Sequence, residues 1–342
     1  MKRTAESIVK EMENRGAMMR TTMTTEERLN GLLDYQGLVL SEVFNDEHAE
    51  NLRLRDVAVH FEDLAREKGY SDNEIVRAAI EDLETVAKEI AIAISGVSGE
   101  RQVARSIRFA HRDVIALPNI TLSDNEEKTE LDQVVITSGG ILILEVKNYK
   151  KDVTISEAGQ IYGPCNKHYS DKSLGEQMNV KRYLLRNKLE KALAEVAPEL
   201  KVHIESRVVF SDPDIKVTDL YKQERYCFKT NLPHEIENLR SDVSYTSDQM
   251  RTIADMISAF AEKDSAYEVG LDFDAIRSTF AQALVLLEGD PAPAQPMAEE
   301  MPVNKLLAKT TVLKQFPAKL AITAAASIVA IAGIVMAVTK NK

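Results

Sequence analysis

The sequence predicts an α/β fold: a mixed sheet flanked by helices, preceded by an α-helical region and followed by a single transmembrane helix. Three observations predict it. Apolar residues recur at helical spacing before residue 95. Two apolar runs, 129–137 and 141–147, flank Ser138-Gly139-Gly140, a hairpin signal. Residues 320–339 carry no charge.

Composition bounds the possibilities. A chain of 342 residues suggests two domains of ~150 residues. With 44% apolar and 28% charged residues, it is neither wholly disordered nor fibrous. A net charge of −11 excludes nonspecific coating of nucleic acid by the whole surface, so any such contact needs a local basic patch. Two cysteines, Cys165 and Cys227, make neither a disulfide framework nor a zinc motif, and a reducing compartment is expected. Both read as packing residues, and His168 reads as a loop histidine. The N-terminal stretch MKRTAESIVKEMENRG has no apolar core, so no secretory signal is expected.

Residues 1–95 read as an acidic helical region. Leu54, Val57, Phe61 and Leu64 follow a 3-4-3 spacing, and Ile75, Ala79, Leu83, Val86, Ile90 and Ile94 continue the pattern. Gly69 ends one helix and Ser71 to Glu74 opens the next as a capping box. Such a region serves as a helical bundle or as a surface for a protein partner or self-association. An α/β domain is expected over 96–240. It starts with a helix capped by Ser98 and running to about Ala110, followed after a loop by the 129–147 hairpin. Short strands are expected at Val153–Ser156, Gln160–Tyr162, Val202–Ser211 and Arg225–Phe228, with a helix over Gln177–Val196. Residues 241–287 hold two helices, about Ser247–Glu262 and Asp272–Leu287, expected to pack on that domain.

Residues 288–319 read as a linker containing Pro291, Pro293, Pro296, Pro302 and Pro317. As polyproline II it would reach ~90 Å. The 20 uncharged residues at 320–339 would extend ~30 Å as a helix, the thickness of a bilayer core. Lys319 and Lys340 bracket them as interfacial anchors. Lys305, Lys309, Lys314 and Lys319 precede the span, and only Lys340 and Lys342 follow it. That asymmetry places the N-terminal bulk on the cytoplasmic side of a C-terminally anchored, single-pass protein.

The hairpin carries the chemistry. A turn centred between Ser138 and Gly139 puts Asp132 opposite Glu145. Alternation then places Asp132, Val134 and Ile136 on the same face as Ile141, Ile143, Glu145 and Lys147. Two like charges facing each other cost up to ~1 kcal/mol in a hairpin, which a divalent cation would reverse. Hard oxygen donors suit Mg²⁺. The ordinary alternative is a pair of solvated strand-end acids, with Glu145 and Lys147 as a surface pair. Glu100 lies on the face of its helix that carries Val103, Ala104 and Ile107, which aims a third carboxylate near the core. It could equally serve as a first-turn charge on the helix dipole.

Gly99-Glu100, Glu130-Leu-Asp132 with Val134-Val-Ile, and the run from Gly140 through Glu145 and Lys147 to Tyr149 resemble the nuclease-related domain (NERD) family, a branch of the PD-(D/E)xK nucleases. The run Val208 to Ser211 is similar to its terminal core strand, so the resemblance covers about 96–240. It implies a restriction-endonuclease-like fold and phosphodiester hydrolysis with Mg²⁺ or Mn²⁺. By the same resemblance Asp132 and Glu145 would bind the metal and Glu100 would support it. Lys147 would orient or help deprotonate the attacking water, and Gln177 would contact the site.

From Lys147 to Lys188, nine lysines and arginines face four acids. Lys150, Lys151, Lys167, Lys172, Lys181 and Arg182 are the candidate phosphate contacts, interleaved with Tyr149, Tyr162 and Tyr169, although they could simply be solvated loop and helix charges. DNA is the favoured partner over RNA. The competing reading is a nuclease-like binding or scaffold protein without turnover. A third is membrane organisation, with the α/β domain only structural.

Overall fold

Helix signals shape the first hundred residues. Thr4 caps α1 (Ala5–Asn14), and after β1 (Thr22–Met23) Thr24 caps α2 (Thr25–Val43) with a box closed by Glu27. In α3 (Leu54–Lys68) the 3-4-3 stripe puts Leu54, Val57 and Phe61 in the core. Gly69 ends the helix in the left-handed conformation at φ 76°. The next helix, α4 (Glu74–Ile107), is capped by Asn73 and not by the expected Ser71 box: Asn73 Oδ1 accepts from the backbone N–H groups of Ile75 and Val76 at 3.0 and 3.2 Å. Its buried stripe runs through Val76, Ala79, Leu83, Val86, Ile90, Ala93 and Val97, leaving Ile75 and Ile94 exposed.

The computed structural model describes residues 3–15, 22–44, 51–124, 127–167, 169, 172–262, 267–268 and 270–291. All of them fall within one compact unit, Met1–Pro291. The expected span at 320–339, nearly all of the proline-rich linker and His168 lie outside the described residues. No described helix is long and apolar enough to cross a membrane.

α4 departs most from expectation. It is one helix of 34 residues, so Ser98 lies inside it and caps nothing, and the helix runs straight across residues 95 and 96. Its first half lines the helical core, and Val103 and Ile107 near its end line the sheet. A single rod thus joins both regions.

The sheet region follows. In chain order come β2 (Val114–Ser123), β3 (Lys128–Thr137), β4 (Gly140–Lys147), β5 (Val153–Ile155), β6 (Ile161–Tyr162), α5 (Leu174–Val196), β7 (Ile204–Phe210), β8 (Val217–Asp219), β9 (Tyr226–Phe228) and α6 (Leu232–Glu237). The mixed five-stranded sheet has the order β2-β3-β4-β7-β9. β2, β3 and β4 are antiparallel neighbours, while β7 joins β4 and β9 joins β7 in parallel. The unexpected β2 lies at the edge, where Pro118 is tolerated. A small sheet, β6-β5-β8, lies beyond β4 in the chain.

Side-chain alternation separates two cores. Val134, Ile136, Ile141 and Ile143 face α5 and α7 (Ser247–Phe260). Val135, Leu142 and Leu144 face α4 and α6. After β10 (Tyr267–Glu268), which pairs with β1, comes α8 (Phe273–Glu288). α8 does not pack on the sheet beside α7 as expected: it joins the helical core, where Phe280 stacks on Phe61 at 5.8 Å between centroids.

Candidate active site

β3 and β4 pair with Thr137 opposite Gly140 and Gln133 opposite Leu144, the register read from the turn. One step further the ladder gives way to a side chain: the backbone N–H of Val146 donates to Asp132 Oδ2 at 2.7 Å. Asp132, Glu145 and Lys147 continue the strand face that packs on α5. That helix begins at a capping box made by Ser173 and Glu176, which places Gln177 and Lys181 one turn apart on the side facing the strand ends.

Five groups interlock there. Lys147 Nζ donates to Glu145 Oε1 at 2.6 Å and to Gln177 Oε1 at 3.4 Å. Lys181 Nζ lies 3.3 Å from Asp132 Oδ1 and also contacts Glu145 Oε2. Asp132, Glu145 and Lys181 are all buried, at 9%, 6% and 4% exposure. Burial opposes ionisation of Glu145, but Lys147 and Lys181 outweigh it and hold that carboxyl below the usual range. Burial and the neighbouring Glu145 push Asp132 upward. Burial also opposes the charge on Lys147; Glu145 beside it prevails and keeps its pKa above the ordinary value.

Glu100 approaches from α4. Gly99 makes this possible, because a Cβ there would lie 2.7 Å from Asn148 Cβ. Asn148 fastens the contact by donating from Nδ2 to the Ser95 carbonyl at 2.6 Å. Burial, with Asp132 and Glu130 nearby, raises Glu100 to about 8, against a hydrogen bond from Asn119. Asn119 sits in β2 across from Asp132, in the left-handed region at φ 50°, where the β2–β3 pairing is interrupted. Glu130 is buried, is pushed up to about 7 by desolvation and Asp132, and has no partner for its Oε2 among the described residues.

Asp132 and Glu145 therefore converge as a pair of hard oxygen donors, which fits one divalent cation held by one or two carboxylates and water. Among the described residues, no three acidic, imidazole or thiol side chains are grouped to hold an ion. Glu100, expected to share the ion, is not grouped with that pair.

The six candidate phosphate contacts separate into two sets. Lys150, Lys151, Lys167 and Lys172 are exposed. Lys150 reaches Asp212 at 3.2 Å, and the Lys167 ammonium lies 5.9 Å from the Tyr169 ring, itself stacked on Tyr149 at 4.7 Å. Lys181 is no surface contact, because its ammonium is buried between two carboxylates. Arg182 is committed to Glu224 through two hydrogen bonds of 2.8 and 2.7 Å. Cys227 is buried as expected, whereas Cys165, expected to pack, is exposed.

Lys181, Glu130 and Asn119 are the site residues that the sequence reading missed or misplaced. Lys181 left a signal: it falls within the stripe Leu174, Met178, Leu185 and Leu189, all buried. A lysine at a core position of an amphipathic helix needs a buried counter-ion.

A mixed sheet flanked by helices, with buried acid–lysine pairs at one end, defines a mixed α/β protein with a charged candidate site. The chain carries a nuclease-related domain (NERD), whose family model matches residues 95–211, from the middle of α4 to the residue after β7. No curated protein and no solved structure matches the chain.

Proposed function

We propose that the chain is a membrane-anchored, divalent-metal-dependent nuclease with a restriction-endonuclease-like core. It hydrolyses phosphodiester bonds of DNA, with RNA as the second candidate, and faces the cytoplasm from a helix at residues 320–339. One observation carries the reading: free oxygens of Asp132 and Glu145 converge on a single point, held by the Lys181 ammonium, beside Lys147 and within a matched nuclease-related domain.

Asp132 and Glu145 would hold Mg²⁺ or Mn²⁺, with Glu100, outside that pair on α4, supporting the ion through water. The bound ion would supply an activated water and neutralise charge developing on the phosphoryl oxygens. Lys147, aimed by Glu145 and Gln177, places a fixed positive charge beside the phosphate. Lys150, Lys151, Lys167 and Lys172 would track the backbone, near the Tyr149–Tyr169 stack.

The test is nicking of supercoiled DNA by the full chain in detergent with Mg²⁺ or Mn²⁺. Asp132→Ala and Glu145→Ala should each abolish it. Absence of cleavage with every metal, or cleavage indifferent to both substitutions, overturns the proposal. A second reading, a scaffold without turnover that grips a partner through residues 1–95, is favoured by Lys181, whose ammonium already stands between the two acids. It predicts no cleavage, together with partner retention that is lost when residues 1–95 are replaced.

A further inference from the structure

Each carboxylate of the central pair has one oxygen held by a group of β4. Asp132 Oδ2 takes the Val146 N–H, and Glu145 Oε1 takes Lys147. The remaining oxygens, Asp132 Oδ1 and Glu145 Oε2, both turn to a single point, where the Lys181 ammonium stands. A divalent cation bridging the pair would use those same two oxygens. The strand ends are rigid and central in the sheet, whereas Lys181 arrives from a separate helix on a flexible four-carbon stem.

We propose that Lys181 is the resident cation of the metal-free site, and that it and the divalent ion occupy the point between Asp132 and Glu145 in turn. This rests on the metal-dependent reading above. In the resting form Lys181 and Lys147 together balance Asp132 and Glu145 without metal, so the domain folds in its absence. Loading requires Lys181 to withdraw. Withdrawal frees an ammonium beside the reaction centre, one helical turn from Gln177 and its contact with Lys147. Lys181 is a positioning residue that sets metal affinity, and the exchange gives the site an off state.

The probe is Mn²⁺, with free ion counted by electron paramagnetic resonance against the full chain in detergent. If the form with Lys181 withdrawn is a tenth or less of the metal-free ensemble, Lys181→Met should bind Mn²⁺ at least ~10-fold more tightly than the wild type. Lys181→Arg, which keeps the cation, should bind no more tightly than the wild type. In EDTA the Met variant should melt below the wild type, and Mn²⁺ should restore it. If that variant does not fold, the wild type still carries the test: acylation of Lys181 by an N-hydroxysuccinimide ester, read by mass spectrometry, should rise when Mn²⁺ binds. Equal or weaker binding by Lys181→Met, or acylation unchanged with Mn²⁺ bound, overturns the exchange and leaves the nuclease reading standing. Failure of wild type and variant alike to bind Mn²⁺ overturns both.

Discussion

Buried charge is handled differently in the helical region and at the sheet end. In the helical region Glu42 of α2 is buried, but two arginines flanking α1 serve it: Arg3 at 2.5 Å and Arg15 at 3.2 Å, both partly exposed. Arg28 of α2 likewise meets Glu89 of α4 at 2.5 Å. These acids are met by cations whose stems reach solvent, and the pairs fasten one helix to another. At the sheet end, Asp132 and Glu145 share Lys147 and Lys181, and Glu100 and Glu130 lie near enough to Asp132 to be raised by it. Two of the acids are pushed far above their ordinary range. A matched pair is a staple. A surplus of buried like charge costs stability, and a site that binds a cation or reacts is where such a cost is retained.

Lys147→Met should break the comparison most visibly. With the fixed positive charge gone, cleavage should fall by ~10²-fold or more, the scale of losing one electrostatic stabiliser of a transition state. Glu42→Ala in the helical region should leave cleavage unchanged. Its partners can turn to water, so it should cost only about 1 kcal/mol. In a domain of this size that is roughly 2–4 °C in melting temperature by calorimetry. If Glu42→Ala lowered cleavage as Lys147→Met does, the helical charges would be part of the site and the contrast would fail.

Much of this contrast was legible in the sequence where a local rule governs. The hairpin register follows from Ser138-Gly139 and alternation, so the shared face of Asp132, Glu145 and Lys147 could be read directly. The helical stripes of α3 and α4 were legible for the same reason. What was lost depends on tertiary placement. Ser98 has the chemistry of a cap, yet packing on both regions carries α4 through it. β2 was obscured by Pro118, which an edge strand accepts. α8 has a generic apolar face that would fit either core, and only the fold assigns it to Phe61. Lys181 was read by its charge in a basic stretch, when its position in the α5 stripe was the better guide.

The smallest expected effect sharpens the comparison through pH. Glu100 and Glu130, at about 8 and about 7, keep protons in the native state that the unfolded chain releases near 4.5. A carboxyl raised in this way stabilises the fold fully below its unfolded value and loses that contribution as pH rises through its folded value. The metal-free protein should therefore melt lower as pH climbs from 4.5 to 8. Glu100→Gln mimics the protonated carboxyl and keeps a hydrogen-bonding partner for Asn119. Measured in EDTA, it should match the wild type below pH 4.5 and melt higher above pH 8, by about 1–3 °C. Glu42→Ala, by contrast, should lower the melting temperature, because it removes the partner of Arg3 and Arg15. If Glu100→Gln instead lowered stability at alkaline pH, Glu100 would be a well-partnered acid served by a cation as Glu42 is, and the excess of acids over cations at the sheet end would be smaller than its nearness to Asp132 and Glu130 implies.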